Sequence, residues 1–214
     1  TDITVSVEKF ISTGKMQEIA VGRPAEGRVM RGRFLGAAAM TAIAVAAAGP
    51  VSADQAYGPF RHYDAVPGAL FMTGSISEGD AFELRKALRE EEIRMVVTAS
   101  PGGNLYEGLM IADIMRDKGI LTYVPADASC ESSCANIFLG GSSRVADGKL
   151  GVHQFRSVSG ATDEAETQSA TADVISTLSH LGTPDFVYAR MFSERGMYYF
   201  SDDEIGRNSV RPSR

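Results

Sequence analysis

Residues 129–134 read SCESSC, and the stretch GVHQF brings His153, one of the chain's 3 histidines, twenty residues past Ser133. Serine, cysteine and histidine are the side chains of covalent acyl transfer, in which a hydroxyl or thiol attacks a carbonyl once a base takes its proton. The same six residues also suit a disulfide clip, a metal corner or a polar turn. Ser133 opens the apolar run CANIFLGG. A hydroxyl at a helix start is ordinarily a cap, yet the same position favours negative charge. There, a neighbouring N–H can also be aimed at a developing oxyanion. His153 lies in an apolar strand pattern, where a buried imidazole needs a polar partner. It is either a satisfied core histidine or the base for Ser133.

A second stretch with chemical content is SPGG, ending in Gly102 and Gly103, between a β-branched run and a helix start. Paired glycines there let the backbone approach closely and gather free N–H groups. The alternatives are a well-capped turn and an oxyanion or anion site. Cys130 and Cys134 are the only cysteines. In an exported chain such a pair suggests a disulfide. The spacing allows one if Cys130 lies in the loop and Cys134 in the first helical turn, since the Cα atoms must fall within about 7 Å. A disulfide would remove either cysteine as a nucleophile. Two cysteines and three dispersed histidines give no zinc pattern, so no metal is expected, and no cofactor is implied.

These residues need a frame. The chain has 214 residues, 44% hydrophobic, enough for one core of ordinary size. A net charge of −6 with scattered basic residues argues against a nucleic-acid partner, which needs clustered Lys and Arg. From Met30, a basic start at Arg31 and Arg33 leads into an Ala-rich uncharged run that ends Val51-Ser52-Ala53. That is the three-part pattern of a signal peptide over 30–53, cleaved after Ala53. The alternative is an uncleaved anchor over 34–53, the one route to a membrane partner. Residues 1–29 show no sustained apolar period and are expected to be a mis-started or non-native extension. The mature domain is then exported to an oxidising compartment, the periplasm in a Gram-negative cell.

Within it, 54–65 reads as a linker inside a Gly- and Pro-rich loop reaching Gly68. ALFMTGSI is expected as a strand, then EGDAFELRKALREEE as a helix with Phe82 and Leu84 to Leu88 on its apolar side. IRMVVTAS predicts a buried strand. Asn104 followed by Glu107 predicts a capping box opening a helix with Leu105, Leu109, Ala112 and Met115 on one face, closed by Gly119. ILTYVP is the next strand, and SRVADGKLGVHQF two short strands around a turn at Asp147-Gly148. Helices follow over Ala161 to Leu181 and Pro184 to Arg195, then a loose tail at 206–214. Alternating strands and helices predict an α/β domain with parallel strands.

TASPGGNLYEGLMIADIMR, CESSCANIFLGG and LGVHQF, in that order and spacing, resemble the proteolytic subunit of Clp protease within the Clp protease/crotonase superfamily, and more closely its exported, periplasmic Clp-like branch. The resemblance spans residues 66–205. It implies a single-domain α/β fold, the β-β-α superhelix. It also implies Ser133 as nucleophile, with Ser132 the nearer rival, and His153 as base, with Phe155 where the family has proline. Gly103 and Cys134 would donate the oxyanion N–H groups, with Gly102 shaping the turn. The third member is where the match departs. Gly196 stands where the acid belongs, Glu194 is a weak substitute, and Asp202 and Asp203 look like the cap of a last short helix. Lys149, considered for a Ser-Lys dyad, sits on an expected turn.

The resemblance therefore implies an exported serine peptidase acting on a peptide or protein substrate. The alternative is an inactive Clp-like module for peptide binding or assembly. The family's ring assemblies leave a homo-oligomer open. A crotonase-type acyl-CoA enzyme is disfavoured, because export removes the usual CoA pool and no catalytic Glu pair stands out.

Overall fold

A computed structural model describes residues 55–154 and 164–207. The extension at 1–29, the leader or anchor within 30–53, Phe155, the first residues of the helix expected from Ala161, and positions 208–214 of the tail lie outside the described residues.

The β-branched run becomes β4 (Met95–Ala99), flanked by β3 (Ala69–Thr73) and β5 (Leu121–Val124). Both flanking pairs are parallel, with Leu70↔Val96 and Val97↔Tyr123 in register. Leu70, Val96 and Val124 are inaccessible to solvent. Burial on both faces is why these strands read as continuous apolar runs instead of alternating ones. With β1 (Gln55–Tyr57), β2 (Phe60–His62) and β7 (Arg144–Ala146) they form one sheet, ordered β1-β2-β3-β4-β5-β7. The first two strands are an antiparallel hairpin onto β3. Of residues 54–65, expected as a linker, Gln55–Tyr57 and Phe60–His62 thus contribute to the sheet. Tyr57 and Phe60 are buried there, supplying the apolar edge that the glycines and prolines around them obscured.

A smaller sheet, ordered β6-β8-β9, is made of β6 (Ser129–Glu131), β8 (Lys149–Val152) and β9 (Tyr198–Tyr199). The two strands around Asp147-Gly148 do not pair with each other, because β7 joins the large sheet beside β5 and β8 the small one beside β6. This division repeats along the chain. β3 is followed by Ile76, which bridges Gly103, and then by α1 (Asp80–Glu90). β4 is followed by Ser100, which bridges Cys130, and then by α2 (Leu105–Asp117). β5 and β6 precede α3 (Ser133–Gly140), and β7 and β8 precede α4 (Glu164–His180). Each turn is strand, second short strand or bridge, helix, so the expected β-β-α superhelix is the observed fold. α5 (Asp185–Ser193) and α6 (Asp202–Arg207) complete it.

Helix faces follow the sequence with two exceptions. Phe82, expected on the buried side of α1, is 61% exposed, and Asp80, Ala81, Leu84 and Ala87 face inward instead. The capping box is half formed. Asn104 Oδ1 accepts the Glu107 N–H at 3.1 Å, but Glu107 does not reach back. Its carboxylate instead accepts the Gly79 and Ala81 N–H groups at 2.9 and 2.8 Å, capping α1 from α2. The helix N-terminus attracts the negative charge more strongly than the local loop does, and the Asn104 N–H is taken by Ile76 O. Asp80 sits on the same helix start, where burial pushes its carboxyl up and the nearby Glu107 adds to the effect. At the other end, Ser201 and Glu204 form the reciprocal box of α6, so Asp202 begins that helix rather than capping it.

The tightest packing is between α2 and α3. A Cβ on Gly108 would meet Ser133 Cβ at 2.9 Å, and one on Gly140 would meet Ala112 O at 2.3 Å. Arg144, 2% exposed, donates to Leu181 O at 2.6 Å and Gly141 O at 3.3 Å, holding the end of α4 against α3. Burial pushes this guanidinium down to about 9, with Arg116 also donating to the Leu181 carbonyl beside it, so it remains charged at neutral pH. We expect Gly140→Ala to force α2 and α3 apart and cost about 1–3 kcal/mol, read as a lower midpoint in urea unfolding.

Candidate functional site

Strand register aligns the segments that lead to the candidate residues. Ser100 pairs with Cys130, and Cys130 with Leu150, in parallel rungs across three segments. Three residues further along each segment come Gly103, Ser133 and His153. The regular pairing stops short of them, β6 at Glu131 and β8 at Val152, and no hydrogen bond joins the Ser133 hydroxyl to His153. Ser132 N–H donates to Gly151 O at 2.9 Å, which carries the β6–β8 pairing up to the threshold of α3.

At that threshold the chain turns sharply. Ser132 has φ 56° and ψ −127°, and it is the only non-glycine residue with positive φ among the described residues. A serine held there costs of order 1–3 kcal/mol and persists only where surroundings impose it. Here they do. Ser132 is bonded to Gly151 on one side, its carbonyl accepts the Ala135 N–H at 2.9 Å on the other, and Cys130 and Cys134 are joined by a disulfide across it. Their Cα atoms are 5.2 Å apart and both residues are fully buried. The expected pairing is present, and it removes both thiols as nucleophiles.

The turn delivers Ser133 as the first residue of α3. It is 3% exposed, and its Oγ has no hydrogen-bond partner among the described residues. An orphaned buried hydroxyl costs about 1–3 kcal/mol, which an ordinary helix cap would recover by bonding the backbone. Ser133 is thus not acting as a cap. Nor does Ser132, the rival serine, make a side-chain cap bond.

The glycine turn packs directly on this elbow. A Cβ on Gly102 would lie 2.6 Å from Glu131 O, 2.7 Å from Ser132 Cβ and 3.0 Å from Ser133 N. Gly102 also has φ +90°. Its N–H donates to Ser100 Oγ at 3.1 Å and its carbonyl accepts from Ile76 at 2.8 Å. The Gly103 N–H and the Cys134 N–H have no acceptor among the described residues. Two unclaimed N–H groups therefore flank the elbow, on the turn and at the positive end of α3.

His153 follows the last residue of β8 and is partly buried. Its Nδ1 lies 2.5 Å from Gln154 O. A carbonyl oxygen can only accept, so Nδ1 carries the proton and Nε2 keeps the lone pair a base requires. Gln154 is anchored in turn, its N–H donating to Glu194 O at 3.0 Å and its Nε2 to Phe192 O at 2.5 Å. The main chain of Glu194 thus comes beside the histidine strand, but its carboxylate faces Arg190 Nη1 at 3.5 Å. Gly196 faces open space, with nothing within 4 Å of an added Cβ. Lys149 lies on β8 with its Nζ 5.6 Å from the Tyr199 ring centroid. Tyr199 gives its hydroxyl proton to Glu131 at 2.8 Å, and that bond pushes its own ionisation up.

Three residues important to this geometry escaped the sequence reading. Ser100 ties the glycine turn to the elbow strand, Gly108 lets α2 touch Ser133, and Gln154 orients the imidazole. Gly108 left a signal, since a mid-helix glycine is costly and marks close approach. The other two left none, because their roles depend on partners far away in sequence.

Gly102→Ala should misplace the elbow and lower the urea-unfolding midpoint by more than Gly119→Ala, which shares the positive φ but meets nothing within 4 Å.

No protein-family model and no curated protein matches the chain. Solved structures do. ClpP1 from Listeria monocytogenes superposes with a TM-score of 0.54 at 15% identity, over 68% of this chain and 92% of that one. The 1510-N membrane-bound stomatin-specific protease, in a variant complexed with a substrate peptide, gives a TM-score of 0.51 at 16% identity, over 67% and 71%. A serine-to-alanine variant of the same protease gives 0.51 at 15%, over 67% and 75%. The chain has the fold of these Clp-type proteins.

Proposed function

We propose that this chain is an exported serine peptidase of the Clp-like type. The observation that carries the reading is the buried Ser133 hydroxyl, without a partner among the described residues, at a strained elbow packed against the glycine turn. Ser133 Oγ attacks the peptide carbonyl while His153 Nε2 takes its proton, and the Gly103 and Cys134 N–H groups receive the oxyanion. The imidazolium then gives the proton to the leaving amine, and water repeats the cycle on the acyl-enzyme. Gln154 O fixes the tautomer, the part an acid plays elsewhere, without supplying its charge. A peptide substrate accords with the peptide-bound neighbour, and the signal-like stretch and disulfide support export to the periplasm.

A second reading, an inactive Clp-like module for peptide binding or assembly, draws on the Glu194 carboxylate being held by Arg190 and on Gly196 lacking a side chain. One experiment separates the two. A fluorophosphonate probe should label the mature domain at Ser133, and labelling should vanish in Ser133→Ala and fall at least 10²-fold in His153→Ala. Labelling that survives Ser133→Ala refutes the assignment, and none in the wild type favours the module. Gly196→Asp, for which there is room, should raise peptide turnover on the order of tenfold by adding the missing negative charge.

A further inference from the structure

The Gly102–Gly103 turn is held by a residue other than Ser133 and His153. Ser100 is 1% exposed, and its single hydroxyl proton goes to Gly74 O at 2.6 Å. Having donated there, Oγ can only accept along its remaining lone pairs, and it takes the Gly102 N–H at 3.1 Å. The backbone of Ser100 is equally committed. Its N–H donates to Ser129 O and its carbonyl accepts from Glu131 N, both at 3.0 Å. One residue thereby ties the end of β3, the glycine turn and the strand that runs into Ser133.

This wiring has a consequence for the two glycines. The Gly102 N–H is consumed by Ser100, which leaves Gly103 as the free donor of the turn. An amide orientation in a short loop is set by the peptides on either side of it, and Gly102 has φ +90° and Gly103 φ +147° with no side chain to restrain either. Ile76 restrains the carbonyl of Gly102 and the N–H of Asn104, while Ser100 alone restrains the N–H of Gly102.

Building on the hydrolase reading, we infer that Ser100 is a positioning residue for the oxyanion site, its hydroxyl holding the Gly102 peptide so that the Gly103 N–H stays fixed relative to Ser133. An oxyanion donor acts chiefly on the tetrahedral state, so loosening it weakens that state more than the bound substrate.

The test is a series at this position in the mature domain, Ser100→Ala, Ser100→Cys and Ser100→Thr, measured with a peptide substrate and a peptide boronate inhibitor. In Ser100→Ala, kcat should fall about 10- to 100-fold with KM within about twofold, below the full loss of a donor. Boronate affinity should fall by the same factor as kcat/KM, because it forms the tetrahedral adduct. Ser100→Cys, a near-isostere with a poor acceptor, should lie between, and Ser100→Thr, which keeps the hydroxyl, should recover most of the activity. If Ser100→Ala does not fold, the cysteine variant carries the comparison. Unchanged kcat and boronate affinity in the folded alanine or cysteine variant overturn the inference while leaving the hydrolase reading intact. So does a loss confined to thermal stability, or equal weakening of substrate and boronate. A wild-type domain that neither turns over peptide nor takes up the boronate overturns both.

Discussion

The parallel rungs joining Ser100 to Cys130 and Cys130 to Leu150 are the constraint on which the candidate site depends. Register in a parallel ladder is discrete, and a slip of one residue would turn every side chain to the opposite face. With the rungs in place, the segments that lead to Gly103, Ser133 and His153 run side by side. The large sheet supports that register, since β4, β5 and β7 feed these segments and β4 is buried along most of its length.

Around that ladder, close backbone approach replaces side-chain bulk. Gly102 against the elbow, Gly108 against Ser133 and Gly140 against Ala112 let a loop and two helices converge within contact distances that no Cβ would permit. The gain is a rigid setting for Ser132, whose backbone would relax if left alone. The disulfide across the same residue adds a covalent limit on that relaxation. Strain at Ser132 and the orphaned hydroxyl of Ser133 are both local costs, and they occur at adjacent residues. Natural folds tolerate such costs chiefly where function requires a group to be presented instead of satisfied.

Much of this was legible in the chain. IRMVVTAS could only be a buried strand, Asn104 could be read as a cap, and the order of SPGG, SCESSC and GVHQF pointed to a Clp-type arrangement. Other features were not legible, for identifiable reasons. Tyr57 and Phe60 were hidden among turn residues, yet they form a hairpin because β3 offers an unpaired edge. Phe82 satisfied the helical pattern, but the neighbouring face of α1 packs inward. Glu107 looked like half of a local box and instead caps a helix whose start lies 28 residues earlier. In each case a partner distant in sequence outweighed a local preference.

Residue types and their periodicities alone pointed to an α/β class with parallel central strands, to most of the helices, and to the short list of Ser133, His153, Gly102, Gly103, Cys130 and Cys134. Apolar patterning, helix starts and glycine pairs are local properties, and local physics expresses them without reference to the rest of the chain. Only the tertiary structure decided that Ser133 is left unpartnered, that the Gly102 N–H is spent on Ser100 while that of Gly103 is free, that the Glu194 carboxylate turns to Arg190, and that Gln154 orients His153. The bonds themselves span few residues, but the residues that make them are held by distant segments, Ser100 by Gly74 and Gln154 by Phe192. No short window of sequence contains those anchors, so local composition cannot reveal which of several possible bonds is made.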